Sequence, residues 1–128
     1  MPAVALVVDD SMLMRYSVSR YLEERGYTVE SATNGEGALE ALGRMRPDLI
    51  VTDIHMPKMS GTELISAVKA RPETASVPII IVASRSSGFD ESEKRANFTI
   101  YKDIDIEEQL TKVLKTLSKA ARGKGAGK

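Results

Sequence analysis

Short aliphatic runs alternate with segments of helical period along the whole chain. Val4-Ala5-Leu6-Val7-Val8 is apolar at every position, as expected for a strand buried on both faces in the middle of a parallel sheet. Ser11 is placed to cap a helix in which Met14, Val18, Tyr21 and Leu22 share a face, ending before Gly26. Tyr27 to Ala32 mixes polar with apolar positions and reads as a strand at a sheet edge. Asn34 caps a helix carrying Ala38, Leu42 and Met45, stopped by Pro47. Leu49-Ile50-Val51 is a third strand, and Ser60-Gly61-Thr62-Glu63 has the spacing of a capping box ahead of a helix bearing Leu64, Ile65 and Val68. Pro78 leads into Ile79-Ile80-Ile81-Val82, a fourth buried strand.

The pattern then weakens. Ser86 to Asn97 is the stretch poorest in apolar residues and predicts a shortened or irregular fourth helix. Phe98 to Tyr101 is a short fifth strand, and Asp105 with Glu108 opens a last helix with Leu110, Val113, Leu114 and Leu117 on one stripe. The alternation is (βα)₅, an α/β domain with one parallel sheet. The first, third and fourth strands are the most uniformly apolar, so they belong inside. A doubly wound five-stranded parallel sheet of order 2-1-3-4-5 puts them there, with the second and fifth strands at the edges.

Composition adds limits. The 128 residues suit one domain. The reading is a domain over residues 1–120 followed by a disordered basic Gly/Lys tail over 121–128, which has nothing to bury. Eighteen basic residues balance eighteen acidic ones, so no overall field favours nucleic acid or an anionic membrane. The apolar run Ala3 to Val8 is far too short to span a bilayer and lacks the basic flank of a signal peptide. The absence of cysteine excludes disulfides, thiolate metal sites and cysteine nucleophiles. The expected location is cytoplasmic.

Chemistry enters at the strand ends. In an open parallel sheet, ligands bind beyond the carboxyl ends of the strands where the winding reverses, here between the first and third strands. Asp9-Asp10 follows the first strand, Asp53 the third and Lys102 the fifth. Distant parts of the chain thus deliver three carboxylates and an ammonium to one edge. Crowded carboxylates raise one another's pKa unless a cation neutralises them. An oxygen-only donor set, with room for water, suits octahedral Mg²⁺. Each residue has a plainer reading when taken alone: an Asp pair after a strand is often a turn and cap device, and a lone lysine is usually solvated. It is their joint placement that points to a site.

Val7-Val8-Asp9-Asp10-Ser11, then Asp53-Ile54-His55-Met56-Pro57 with Ser60-Gly61, then Lys102, resemble the signature blocks of response-regulator receiver domains, the chemotaxis regulator being the simplest member. The likeness covers about residues 3 to 119 and implies a flavodoxin-like fold. It implies that Asp53 is the phosphoacceptor, taking a phosphoryl group from a histidine kinase, a phosphotransfer domain or a small phosphodonor. It implies that Asp10 binds Mg²⁺ directly and Asp9 largely through water, while Asp53 and the backbone carbonyl of His55 complete the protein ligands. Lys102 would contact another phosphoryl oxygen, Pro57 would shape the loop and Gly61 would let the next helix pack close. The chain would not be an enzyme beyond its own phosphorylation and hydrolysis at Asp53. His55 is the sole histidine, and the resemblance gives its backbone rather than its ring a role. Met12, Met14 and Met45 are read as core and helix packing.

Departures from the family fall in the output half. The usual Thr or Ser, five residues after the proline that opens the fourth strand, is Ala83, with the hydroxyl one residue later at Ser84. Ser84 would reach phosphate only if the strand slipped or bulged, since neighbouring strand residues face opposite ways. The stretch from Ala83 to Lys102 is a few residues short, and Lys102 is followed by Asp103 where proline is usual. The aromatic switch position, three residues before Lys102, is Thr99. The leading expectation is a stand-alone receiver that signals through an unknown output protein, with no output domain after the last helix and no contact with nucleic acid or membrane. The alternative is a pseudo-receiver, an interaction module indifferent to phosphorylation. A phosphatase with an aspartate nucleophile is disfavoured, because Asp9-Asp10-Ser11-Met12 does not resemble the Asp-x-Asp-x-Thr of such enzymes.

Overall fold

A computed structural model describes residues 3–56, 59–84, 96–102 and 105–126, with side chains of the last helix as far as residue 118. The described strands are β1 (Val4–Val8), β2 (Thr28–Ala32), β3 (Leu49–Asp53), β4 (Ile79–Ala83) and β5 (Phe98–Tyr101). The described helices are α1 (Met12–Glu23), α2 (Gly35–Leu42), α3 (Gly61–Ala70) and α4 (Ile106–Ala126). All strand pairs are parallel, in the order β2-β1-β3-β4-β5, the doubly wound arrangement expected from the apolar runs. Every residue of β3 and β4 is buried, whereas β2 and β5 are buried at one position each.

Period-two alternation divides the central strands between two cores. Leu6, Val8, Ile50, Ile79 and Ile81 meet Ala38 and Ala41 of α2 and Leu64, Ile65 and Val68 of α3. Ala5, Val7, Leu49, Val51, Ile80 and Val82 meet Val18, Tyr21 and Leu22 of α1 and Leu110 and Val113 of α4. With helices on both faces, neither side of the sheet is left to water, which is why these strands carry aliphatic residues without alternation. The winding reverses at β1, so the crevice for a ligand opens between the carboxyl ends of β1 and β3.

The helix starts follow the caps read from sequence. Ser11, Asn34 and Ser60 each accept a backbone N–H of the first turn, and Glu63 closes a full capping box with Ser60. Gly26, with φ of 95°, turns the chain between α1 and β2 in a conformation that side-chain-bearing residues rarely adopt. Three expectations need correction. Helix α2 stops at Leu42 rather than running to Met45, because Gly43 turns back onto the Leu39 and Glu40 carbonyls. Met12 is 74% exposed and belongs to neither core, while Met14 does lie against the core. The last helix runs on to Ala126, past the boundary at residue 120. The fourth helix expected within Ser86 to Asn97 falls almost wholly outside the described residues, as do Pro57 and Asp103.

Candidate functional site

The crevice is built from three strand ends. Asp9 follows β1, and its backbone is held on both sides: its N–H donates to the Ala32 carbonyl at 3.1 Å, and Arg15 donates to its carbonyl at 2.9 Å. Its side-chain Oδ1 accepts the Ser11 N–H at 2.9 Å. Asp53, the last residue of β3, has its carbonyl bonded by the Thr52 hydroxyl at 2.9 Å. Its carboxylate accepts the His55 N–H at 3.4 Å and the Lys102 ammonium at 3.0 Å. Asp9 and Asp53 are each 3% exposed, while Asp10 faces solvent.

One carboxylate oxygen from each of Asp9, Asp10 and Asp53 lies within 4.8 Å of the others. Opposite corners of a Mg²⁺ octahedron are about 4.2 Å apart at ordinary Mg–O lengths, so a small closure would let all three face one ion. Lys102 Nζ also stands 3.7 Å from Asp9 Oδ2. One ammonium against three carboxylates leaves the cluster short of positive charge. Burial, reinforced by Asp53 and Asp10, pushes the Asp9 carboxyl up to about 6 against the opposing pull of the Ser11 N–H and Lys102. Burial pulls the Lys102 ammonium down, but its hydrogen bond to Asp53 and the charges of Asp53, Asp9 and Asp10 outweigh it, leaving the pKa above the ordinary lysine value. The donor set is all oxygen and its unsatisfied charge is negative; both fit a hard divalent cation.

The β3–α3 corner explains Gly61. A Cβ there would collide with the Asp53 carbonyl oxygen and lie 2.9 Å from Ile54 Cα. The Gly61 N–H donates to the Ile54 carbonyl at 2.9 Å. Only glycine lets α3 start this close behind Asp53.

A scan against family models matches residues 5–115 to the response regulator receiver domain. The chain belongs to that family. It is 32% identical over 133 aligned residues to the response regulator MprA of Mycolicibacterium vanbaalenii, in a match covering 99% of this chain and 55% of that protein. The chain thus spans about half the length of that relative. The chemotaxis response regulator CheY4 of Vibrio cholerae superposes with a TM-score of 0.81 at 33% identity, covering 91% of this chain and 98% of that one. The response regulator TrrA of Thermotoga maritima, solved in complex with Mg²⁺-BeF, gives 0.76 at 30% identity, covering 88% and 97%.

In this receiver, Asp9, Asp10, Asp53 and Lys102 come together as the sequence led us to expect. His55 lies beside Asp53 with its side chain exposed, joined through its backbone N–H. Ser84 comes directly after the end of β4. The β3–β4 and β4–β5 pairings run unbroken, with Asp53 opposite Val82 and Ala83 opposite Tyr101, so the strand neither slips nor bulges before Ala83. Ala83 is fully buried on the α2/α3 face, and Ser84 follows the last paired residue, half-buried.

Two neighbours escaped the sequence reading. Arg15 reaches back past the Ser11 cap to the Asp9 carbonyl, a contact only weakly signalled by its spacing from Ser11. Tyr101 packs on the same face as Ala83, directly beside it, two residues beyond Thr99. The period of two could have pointed to it.

Proposed function

We propose that Asp53 accepts a phosphoryl group from a histidine kinase or phosphotransfer domain, in a Mg²⁺-dependent reaction in the cytoplasm, and that the phosphorylated chain signals through a protein partner. The observation that carries this reading is the Lys102 ammonium, 3.0 Å from Asp53 Oδ2, at the rim of the three-carboxylate cluster. An Asp53 oxygen would attack phosphorus in line, the P–N bond of a phosphohistidine or the P–O bond of acetyl phosphate would break, and the leaving group would take the bonding pair. Such a transfer depends on positioning and charge neutralisation more than on covalent assistance. Lys102 would meet the charge on a phosphoryl oxygen. Asp10, Asp53, the His55 carbonyl and, through water, Asp9 would hold Mg²⁺, and the ion would supply neutralisation of the negative charge gathered there. Water attack on the acyl phosphate would reset Asp53 without making the chain an enzyme toward other molecules.

A protein donor is supported by the surface beside the acids. Met12 and Leu13, each 74% exposed, and Tyr16, 61% exposed, form an apolar patch on the first turns of α1. Large apolar side chains grouped next to a reactive carboxylate suit a docking partner better than bulk water. No helix among the described residues is long and apolar enough to cross a membrane.

Acetyl phosphate with Mg²⁺ should add one phosphate to the wild type and none to Asp53→Asn, read by intact mass. A wild type that neither binds Mg²⁺ nor takes up beryllofluoride overturns the proposal. Buried Ala83, in an unbroken strand where the family carries a hydroxyl, favours a second reading: a pseudo-receiver whose partner binds equally with and without a phosphoryl mimic.

A further inference from the structure

Strand β5 is an edge of the sheet, and alternate residues of such a strand turn their backbone groups away from the neighbouring strand. The Lys102 N–H donates inward to the Ala83 carbonyl at 2.9 Å. Tyr101, one residue earlier, therefore turns its N–H and C=O outward, where an edge strand ordinarily meets water. Both groups are taken by one side chain. Gln109 Oε1 accepts the Tyr101 N–H at 3.0 Å, and Gln109 Nε2 donates to the Tyr101 carbonyl at 2.8 Å. Only one orientation of the amide satisfies both bonds. Gln109 thus does for Tyr101 what another strand would do.

The amide is itself anchored. Its Nε2 also lies 3.3 Å from the Asp105 carbonyl, to which the Gln109 N–H donates at 3.2 Å. The next residue, Leu110, is fully buried in the α1/α4 core. From that core, the connection runs through Gln109 to Tyr101 and on to the adjacent Lys102.

We propose that Gln109 is a positioning residue for Lys102: by pairing both backbone groups of Tyr101, it holds the end of β5 so that the ammonium reaches Asp53 and the phosphoryl group bound there. The inference rests on the phosphoacceptor reading above. Lysine has four rotatable side-chain bonds, and its Nζ can meet a phosphoryl oxygen reproducibly only if its Cα is fixed. Gln109 touches neither the carboxylates nor, on this reading, the phosphoryl group.

The test separates Lys102 from the metal ligands. Mg²⁺ binding, read by calorimetry, reports on the carboxylates; beryllofluoride binding at saturating Mg²⁺, read by ¹⁹F NMR, also requires the lysine. Gln109→Met keeps the length of the side chain and loses both bonds. It should weaken beryllofluoride binding about fivefold, the scale of one or two lost hydrogen bonds, and leave Mg²⁺ affinity undiminished. In a Lys102→Met background it should add no further loss. A general loosening of the fold would weaken both ligands, and would do so in either background. Hydrogen exchange on the wild type gives an independent check should the variant fold poorly: the Tyr101 amide should be protected although it faces the sheet edge. Free exchange at Tyr101, unchanged beryllofluoride binding in Gln109→Met, or equal loss of both ligands would each overturn the inference. A wild type that takes up no beryllofluoride at all would overturn the phosphoacceptor reading, and this one with it.

Discussion

On the β1–β3 side of the crevice, the residues at the site are tied down through the backbone. Asp9 is bonded by Ala32 and Arg15, the Asp53 carbonyl by Thr52, and Gly61 brings α3 against that same carbonyl. On the β4–β5 side, the sheet continues in regular register but carries different side chains at its end: Ala83 without a hydroxyl, Thr99 without a ring, and an aromatic displaced to Tyr101. On the proposed reading, one side retains what accepting a phosphoryl group would require, and the other departs from the residues that would report it. Accepting and reporting are therefore separable demands on this fold, and substitutions on the two sides should have different signatures.

The sharpest separation comes from Lys102, which stands on the boundary. Lys102→Met should slow phosphorylation by acetyl phosphate about 10²–10³-fold, the usual cost of losing a charged group aimed at a transferring oxygen. Mg²⁺ affinity should rise, because removing a cation 3.0 Å from Asp53 and 3.7 Å from Asp9 leaves the carboxylates less neutralised. Calorimetry beside single-turnover kinetics reads both. A parallel loss of Mg²⁺ binding would mean that the two sides are one unit.

Gly61→Ala probes the rigid side by sterics alone. Its Cβ meets backbone rather than a yielding side chain, so we expect a loss of about 2–3 kcal/mol in urea unfolding together with weaker Mg²⁺ binding. A neutral result would show that α3 can retreat from Asp53 freely.

Much of this was legible in the sequence because it depends on local pattern. Uniform aliphatic runs marked β1, β3 and β4 as central, and the ends of those runs placed Asp9, Asp10 and Asp53 at one edge. Ser11, Asn34 and Ser60 announced their helices because capping is a contact over three residues. What was not legible depends on contacts between elements. Gln109 reads as an ordinary helix-surface residue until β5 is known to lie beside it. Arg15 reads as a solvated charge until α1 is known to turn it back on Asp9. Met12 was misplaced because period alone does not tell whether the first turn of a helix overhangs the core.

The Asp9 carboxyl gives a pH signature confined to the rigid side. In the unfolded chain it titrates near 3.8, and in the metal-free fold near 6, chiefly because it is buried. Between those values the folded protein keeps a proton that the unfolded chain has lost. The stability contributed by this group is thus present below pH 3.8 and is lost as pH rises through about 6. The loss is about 1–3 kcal/mol, towards the lower end where water reaches the cluster beside Asp10. Asp9→Asn should remove that dependence and stabilise the metal-free protein at neutral pH, and wild-type Mg²⁺ affinity should fall as pH drops through about 6. Urea midpoints across pH for the two proteins test the sign. Greater stability of the wild type than Asp9→Asn at pH 7 without Mg²⁺ would contradict it.

The smallest expected effect bears most directly on the reporting side. With β4 paired without a bulge through Ala83, Ser84 lies past the ordered alternation, and Ser84→Ala should change phosphorylation rate and phosphate lifetime by less than about threefold, near the low end of what one neutral hydrogen bond contributes. Ala83→Thr restores a hydroxyl where the family has one, but into a site with no exposed surface, so its contact with phosphate must compete with overpacking against the α2/α3 core. If a longer-lived phosphorylated state accompanies lower stability in Ala83→Thr, the natural alanine has given up a phosphate contact to keep that core closed. If Ser84→Ala instead shortens the lifetime tenfold, the chain after Ala83 must bring Ser84 to the phosphate, and the reporting side is less altered than its sequence suggests.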